Sequence, residues 1–119
     1  MINKVYEMLQ ACNVPLSYIS RPSFNEKGIV ISYHFFGEGG EVFEEGEEVE
    51  TSGTLQIDLF AKENVDFTTI KKQIKELLKI NGFLGPSSYD TQENTDGIGL
   101  INHLVITSNY LESEALGNG

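Results

Sequence analysis

Hydrophobic and polar positions follow two different periods along this chain, one typical of helices and one typical of strands. Apolar residues recur every three or four positions in residues 2–12 and again in residues 66–80, which predicts two amphipathic helices. Asp66 is a plausible N-cap of the second helix. Gly82 follows it and is the residue type that commonly ends helices.

Four segments favour β-strands. Residues 29–36 are rich in β-branched and aromatic side chains, and residues 54–62 alternate between apolar and polar positions. Residues 100–111 form a last strand, whereas residues 83–91 contain Pro86 and are interpreted as an interrupted edge strand, because proline cannot donate to a sheet ladder. Residues 16–20 are interpreted as a short extended piece outside this count.

The element order is therefore α-β-β-α-β-β. This order predicts an α+β fold, with a mostly antiparallel four-stranded sheet and two helices packed on one face. Residues 1–111 are expected to form a single domain, and residues 112–119 have little to pack and are expected to be a disordered tail.

Residues 37–53 are rich in glutamate and glycine and leave little apolar surface to bury. Because they join two strands, we expect a long acidic hairpin arm with a mobile tip. Phe43 is out of keeping with a purely solvated loop and could anchor the arm to a neighbour.

The charge balance limits the classes of partner. The chain has 119 residues and a formal net charge of −10, from 18 acidic and 8 basic residues. Affinity for nucleic acid comes mainly from lysine and arginine, so neither sequence-specific nucleic-acid binding nor an anionic membrane surface is expected. No segment resembles a signal peptide or an apolar membrane span, which leads us to expect a cytoplasmic protein.

Few residues favour catalysis or metal binding. His34 and His103 are the only histidines, and each lies in the middle of a predicted strand. A metal site from these two would need carboxylate ligands, and ordinary half-buried histidines are the simpler interpretation. Cys12 is the only cysteine and lies on the apolar face of the first helix, so we expect a buried side chain and not a nucleophile. We therefore expect no enzyme, no metal and no cofactor.

Opposite charges are concentrated in two different segments. Residues 38–50 contain seven glutamates and no basic residue, whereas residues 62–79 contain five of the eight basic residues. The simpler interpretation is two solvated surfaces. The alternative is that the acidic arm of one copy meets the basic helix of the next, which gives a ring or a filament. This alternative names as candidate interface residues Phe43, Glu44, Glu45, Glu47, Glu48, Lys71, Lys72 and Lys75.

A resemblance to a known family spans most of the chain. The features that support it are patterns of residue type in a fixed order, at residues 5–9, 14–18, 29–33, 55–62, 82–83, 89–90 and 110–112. In this order and total length the chain resembles the small tail-terminator, or tail-completion, proteins of long-tailed phages and prophages of Gram-positive bacteria.

The resemblance implies a structural role without catalysis. Proteins of this kind form a ring, usually a hexamer, that caps the tail tube and joins it to the head connector. Self-association, the tail tube protein and the head connector are thus the implied partners, in the bacterial host cytoplasm during assembly and at the head–tail junction of the virion. The alternatives are another neck protein, such as a connector or stopper, and an acidic cytoplasmic adaptor domain that binds another protein.

Overall fold

The computed structural model describes residues 1–42 and 49–113. In chain order, its elements are helix α1 (Ile2–Leu9), a 3₁₀ turn (Gln10–Cys12), strands β1 (Leu16–Tyr18), β2 (Ile29–Val42) and β3 (Val49–Lys62), helix α2 (Thr68–Ile80), and strands β4 (Leu84–Thr95) and β5 (Gly99–Ser113).

The strands form one mixed sheet of five strands in the order β1-β2-β3-β5-β4. Strand β1 runs parallel to β2, and the other neighbouring pairs are antiparallel. The predicted fold class was therefore wrong in its sheet: the sheet has five strands and not four, it is mixed, and the element order is α-β-β-β-α-β-β.

The additional strand is β1, which the sequence pattern marked only as a short extended piece. It has three residues and pairs with positions 31–33 of β2. Backbone bonds at its two ends, from Ile31 N to Pro15 O (2.9 Å) and from Ile19 N to Tyr33 O (2.8 Å), hold it in place. Parallel neighbours need a crossover connection, and residues 19–28 supply it here. Its pairing is thus set by tertiary contacts that three residues cannot encode.

Both helices cover the same face of the sheet. Val5 and Leu9 of α1, and Ile74 and Leu78 of α2, are fully or almost fully buried in one core cluster. Because side chains alternate along a strand, only one set of positions faces these helices. The strand residues in that cluster are Ile29, Ile31, Tyr33, Leu55, Ile57, Leu59, Ala61, Leu104, Ile106 and Tyr110. No helix of the described residues packs on the opposite face, which is called the open face below.

The predicted end of α2 is confirmed. Gly82 adopts φ +84°, its N–H donates to Lys79 O (3.1 Å), and Phe83 N donates to Leu78 O (2.9 Å). This is the Schellman arrangement, in which a residue with positive φ lets the chain reverse and satisfy the last helical carbonyls. At the other end the N-cap residue is Phe67 and not the predicted Asp66. Asp66 Oδ1 nevertheless accepts a bond from Thr68 N (2.9 Å) at the first turn, from one residue farther out.

The strands β2 and β3 are longer than the sequence pattern predicted. They pair beyond Phe36 and Thr54, past a bulge between Phe36 and Gly39, to the pair Val42–Val49. Much of the expected acidic loop is thus an arm of paired strands, and the molecule is elongated, with principal extents of 55 × 23 × 22 Å. Strand β5 pairs with β3 along this arm as far as Glu50, so most of the described arm has three strands. Residues 43–48 and 114–119 lie outside the described residues.

Candidate subunit interface

The three candidate lysines lie on α2, away from its buried stripe. Lys72 is exposed, and Lys71 and Lys75 are partly exposed. Lys71 Nζ is 3.7 Å from Asp90 Oδ1 on strand β4 of the same chain. Exposed ion pairs of this kind contribute about 0–1 kcal/mol. Lys71 is therefore only partly available for a contact with another copy. Lys72 and Lys75 are the lysines of this group without such a contact among the described residues.

The five candidate residues of the arm, Phe43, Glu44, Glu45, Glu47 and Glu48, lie outside the described residues. The strands leading to them end at Val42 and resume at Val49. The pairing of arm glutamates with helix lysines between copies therefore stays a prediction.

The outer edge of β4 offers another surface to a neighbour. This strand has 12 residues and exposes most of its side chains, and β5 is its single partner among the described strands. A register shift between Leu84 and Ser87 bends it at Gly85 and Pro86. Apart from the positions near that proline, its unpaired N–H and C=O groups form an open sheet edge, which natural monomers usually shorten, cover or charge.

The open face also exposes large apolar side chains near the base of the arm. Phe36, Leu84 and Leu111 are 46%, 54% and 58% exposed. Leu84 and Leu111 line a groove of about 340 Å³. Single exposed apolar residues need no explanation, but three at one end of one sheet face are a candidate contact surface.

Sequence reasoning missed a polar network in the middle of the open face. His103 Nε2 is 2.8 Å from Asp58 Oδ1, and His103 Nδ1 is 3.0 Å from Glu93 Oε2. Gln56 Nε2 donates to both Asp58 oxygens (3.0 and 3.2 Å), and His34 Nδ1 lies 3.8 Å from Asp58 Oδ2. Both histidines of the chain thus converge on one aspartate, which is only 6% exposed.

The network has a definite proton requirement. A neutral imidazole has one N–H to donate, yet both nitrogens of His103 face a carboxyl oxygen. Two hydrogen bonds therefore require either a protonated ring or a proton on Asp58 or Glu93. Within the described part of the chain, no group of three or more His, Cys, Asp or Glu side chains is arranged to hold a metal ion. The contacts of Asp58 and His103 join four neighbouring strands, β2, β3, β5 and β4, so the network links the sheet across its open face.

The cysteine occupies the place that the sequence indicated. Cys12 is buried and free of any disulfide, and this burial raises the pKa of its thiol to about 11. A nucleophilic cysteine needs a lowered pKa and an exposed setting. The environment of Cys12 has neither property.

Comparisons with known proteins find a likeness in structure but none in sequence. No family model matches the chain, and no curated protein sequence matches it. The chain is similar to a chain of the virion of a native gene transfer agent particle, at 12% identity and a TM-score of 0.47, over 91% of each chain. A likeness of this size does not by itself establish a common function. In the described residues, no helix combines the length and the apolar character needed to cross a bilayer.

Proposed function

We propose that this protein is a structural virion protein of a phage or prophage, a tail terminator that forms a ring, caps the tail tube and joins it to the head connector. The proposal is for a role in assembly, without catalysis. It places the protein in the host cytoplasm during assembly and at the head–tail junction afterwards. Another neck protein, a connector or stopper, is the second candidate.

The arm of paired strands is the observation that supports this proposal most. Strands β2 and β3 continue to Val42 and from Val49, and the molecule is more than twice as long as it is wide. When the arm of one copy contacts a different surface of the next copy, the two sides of the contact are not the same. Such a heterologous contact closes into a ring when its rotation permits, or continues as a filament.

The surfaces needed for a ring are separate in the structure. The arm leaves from one end, the edge of β4 is open along one side, and the lysines of α2 lie over the covered face. A terminator needs a contact to its own neighbours and two further contacts, to the tube and to the connector. An adaptor domain that binds a single protein would need only one of them.

Electron microscopy of the purified protein mixed with tail tubes tests the function directly. We expect rings at the ends of the tubes, with the hexamer as the expected size. A protein that stays monomeric at high concentration and leaves the tube ends bare would refute the proposal. Free monomers in dilute solution are compatible with it, because ring formation can require the tube end as a template.

A charge-reversal pair tests the contact between arm and helix. If the arm meets α2, Lys72→Glu combined with Lys75→Glu reduces ring formation, and added salt has the same effect on the wild type. Lys4→Glu combined with Lys27→Glu changes the net charge equally on other surfaces and is the matched control. Equal ring formation by both double variants would rule out the pairing of arm and helix.

A further inference from the structure

A basic and aromatic pocket lies on the open face, at the end of the molecule opposite the arm. Its volume is about 310 Å³, and Arg21, Phe24, Lys62 and Ile98 are among its lining residues. The guanidinium carbon of Arg21 is 5.4 Å from the ring centroids of both Phe24 and Phe60. Lys62 Nζ is 5.6 Å from the centroid of Phe24. Two cations thus share one aromatic ring.

The crossover segment after β1 forms one wall of the pocket. Ser20 N donates to Tyr18 O (2.9 Å) across Ile19, whose φ of +73° is rare for a β-branched residue. This tight, strained turn redirects the chain after β1, and Arg21 and Phe24 follow within five residues.

Strand contacts fix the other wall. Lys62 N donates to Gly28 O (2.9 Å), and a Cβ on Gly28 would lie 3.6–3.7 Å from the stem of Lys62. Phe60 is stacked on His103, with ring centroids 4.3 Å apart. His103 is in turn held by Asp58. The cations are therefore presented by backbone and side chains that are already positioned.

Neither cation has an acidic partner in the described part of the chain. No carboxylate oxygen there lies within 4.0 Å of Arg21 or Lys62, although the whole chain carries a net charge of −10. A guanidinium stacked on rings keeps its N–H donors free at the edge, where they match a carboxylate in a bidentate manner. A flanking ammonium and an exposed Ile98 add a second charge and an apolar contact. The pocket therefore suits a segment with adjacent carboxylates and an aromatic side chain.

The chain itself contains such a segment. Phe43 is followed directly by Glu44 and Glu45, and these residues come next in the sequence after Val42, where β2 ends. We propose that the pocket formed by Arg21, Phe24 and Lys62 receives Phe43, Glu44 and Glu45 of a second copy of this chain. The proposal deepens the proposed function, on whose ring it rests, by naming the surface that receives the arm.

The same chain cannot make this contact. Ile29 begins β2 beside Lys62, and Val42 ends it 13 residues later. At about 3.3 Å per residue, Val42 lies roughly 40 Å from the pocket. The six residues between Val42 and Val49 must leave and return to the arm. Their reach at full extension is about 10 Å outward, since n residues span at most about 3.5 Å × n. The partner must therefore be another molecule.

A head-to-tail contact of this kind also predicts how the copies are arranged. The arm and the pocket lie at opposite ends of the longest axis, so the arm end of each copy meets the pocket end of the next copy. In a ring, the long axis would follow the circumference and not the ring axis. The lysines of α2 lie over the other face of the sheet, so the pocket and α2 are alternative receiving surfaces for Glu44 and Glu45. The pocket contact predicts that Lys72→Glu combined with Lys75→Glu leaves ring formation unchanged.

Zero-length cross-linking of the full chain tests the proposal without tail tubes. Equal amounts of ¹⁴N and ¹⁵N protein are mixed at high concentration and low salt, treated with a carbodiimide, and digested with chymotrypsin, which separates Lys62 from the arm. We expect mixed-isotope peptides that join Lys62 to Glu44 or Glu45. Arg21→Gln should lower their yield about tenfold, because it removes charge-assisted hydrogen bonds, whereas Lys72→Gln should leave the yield unchanged.

Three results would overturn the proposal. One is that the two peptides linked at Lys62 always carry the same nitrogen isotope, which means that the contact lies within one chain. Another is that arm glutamates link to Lys72 or Lys75 and not to Lys62. The third is that no link forms at Lys62 while other lysines react. A protein that makes the expected link but forms no rings on tail tubes would keep the arm contact and refute only the terminator function.

Discussion

The two carboxyl groups that contact His103 should differ in their value to stability, because they differ in burial. The Asp58 and His103 side chains are 9% and 18% exposed, whereas Glu93 is 45% exposed. The two contacts have similar lengths, 2.8 and 3.0 Å, so distance does not separate them. Replacing each carboxyl group by alanine therefore isolates the effect of solvent on otherwise similar pairs.

The expected magnitudes follow from this difference. A buried hydrogen bond that involves a charged group contributes about 1.5–3 kcal/mol, and an exposed ion pair about 0–1 kcal/mol. Asp58→Ala also leaves Gln56 without its acceptor, so the single substitution should cost about 3 kcal/mol or more. Glu93→Ala should cost less than about 1 kcal/mol.

Double-mutant cycles with His103→Ala separate the pair energies from these other effects. Urea unfolding followed by circular dichroism would give the free energy of unfolding of each variant, and thermal melts would give a second measure, at about 3–6 °C per kcal/mol for a domain of this size. We expect a coupling of about 1.5–3 kcal/mol for the pair of Asp58 and His103, and less than about 1 kcal/mol for the pair of Glu93 and His103. Equal couplings, or a larger one for Glu93, would show that burial does not govern this network.

Three further predictions concern the backbone and two titratable groups. Gly28→Ala should lower the free energy of unfolding in urea by at least about 2 kcal/mol, and Gly97→Ala by about 1 kcal/mol. Both glycines have positive φ, but only at Gly28 would the new Cβ lie 2.9 Å from Val65 Cγ2. The thiol of Cys12, whose pKa burial raises to about 11, should react with a disulfide reagent at pH 8 at least about a hundredfold more slowly in the native protein than in urea, since the thiolate is the reactive form. A backbone hydrogen bond from the start of α2 lowers the pKa of Asp66. The ionised Asp66 therefore stabilises the fold above about pH 4, and this stabilisation disappears as the pH falls through the lowered pKa. The stability of the wild type relative to Asp66→Asn should fall over this range, and a constant difference would contradict the assignment.

Residue periodicity was sufficient to predict most helices and strands of this fold, because each of them is amphipathic over many residues. The helix stop at Gly82, the edge position of β4 and the common face of the two helices followed from local patterns. Strand β1 did not, since three residues have no measurable period and its partner is chosen by the crossover that follows. The same limit applies to the arm, where glycine and glutamate have poor strand propensity but continue a ladder already started by β2 and β3.

The polar network shows why the open face could not be derived from the sequence. Alternation correctly placed Asp58 opposite the apolar positions of β3, and it placed His103 and His34 in the middle of their strands. Their convergence depends on β5 lying next to β3, which is a question of strand order and not of local pattern. Once that order is known, position 58 pairs with position 105, and His103 lies diagonally across from the aspartate on the same face.

The buried network and the basic pocket are two parts of one structure on the open face. A polar cluster in this position gains little stability over apolar side chains of similar size, since the cost of removing its groups from water offsets their attraction. Here it fixes the ring of His103, which packs on Phe60, and Phe60 supports the guanidinium of Arg21. An apolar replacement could retain the sheet but would remove the hydrogen bonds that orient this stack. The network thus orients the stack beneath Arg21 at little gain in stability, and the two effects are separable, because the first would act on the proposed contact between copies and the second acts on unfolding.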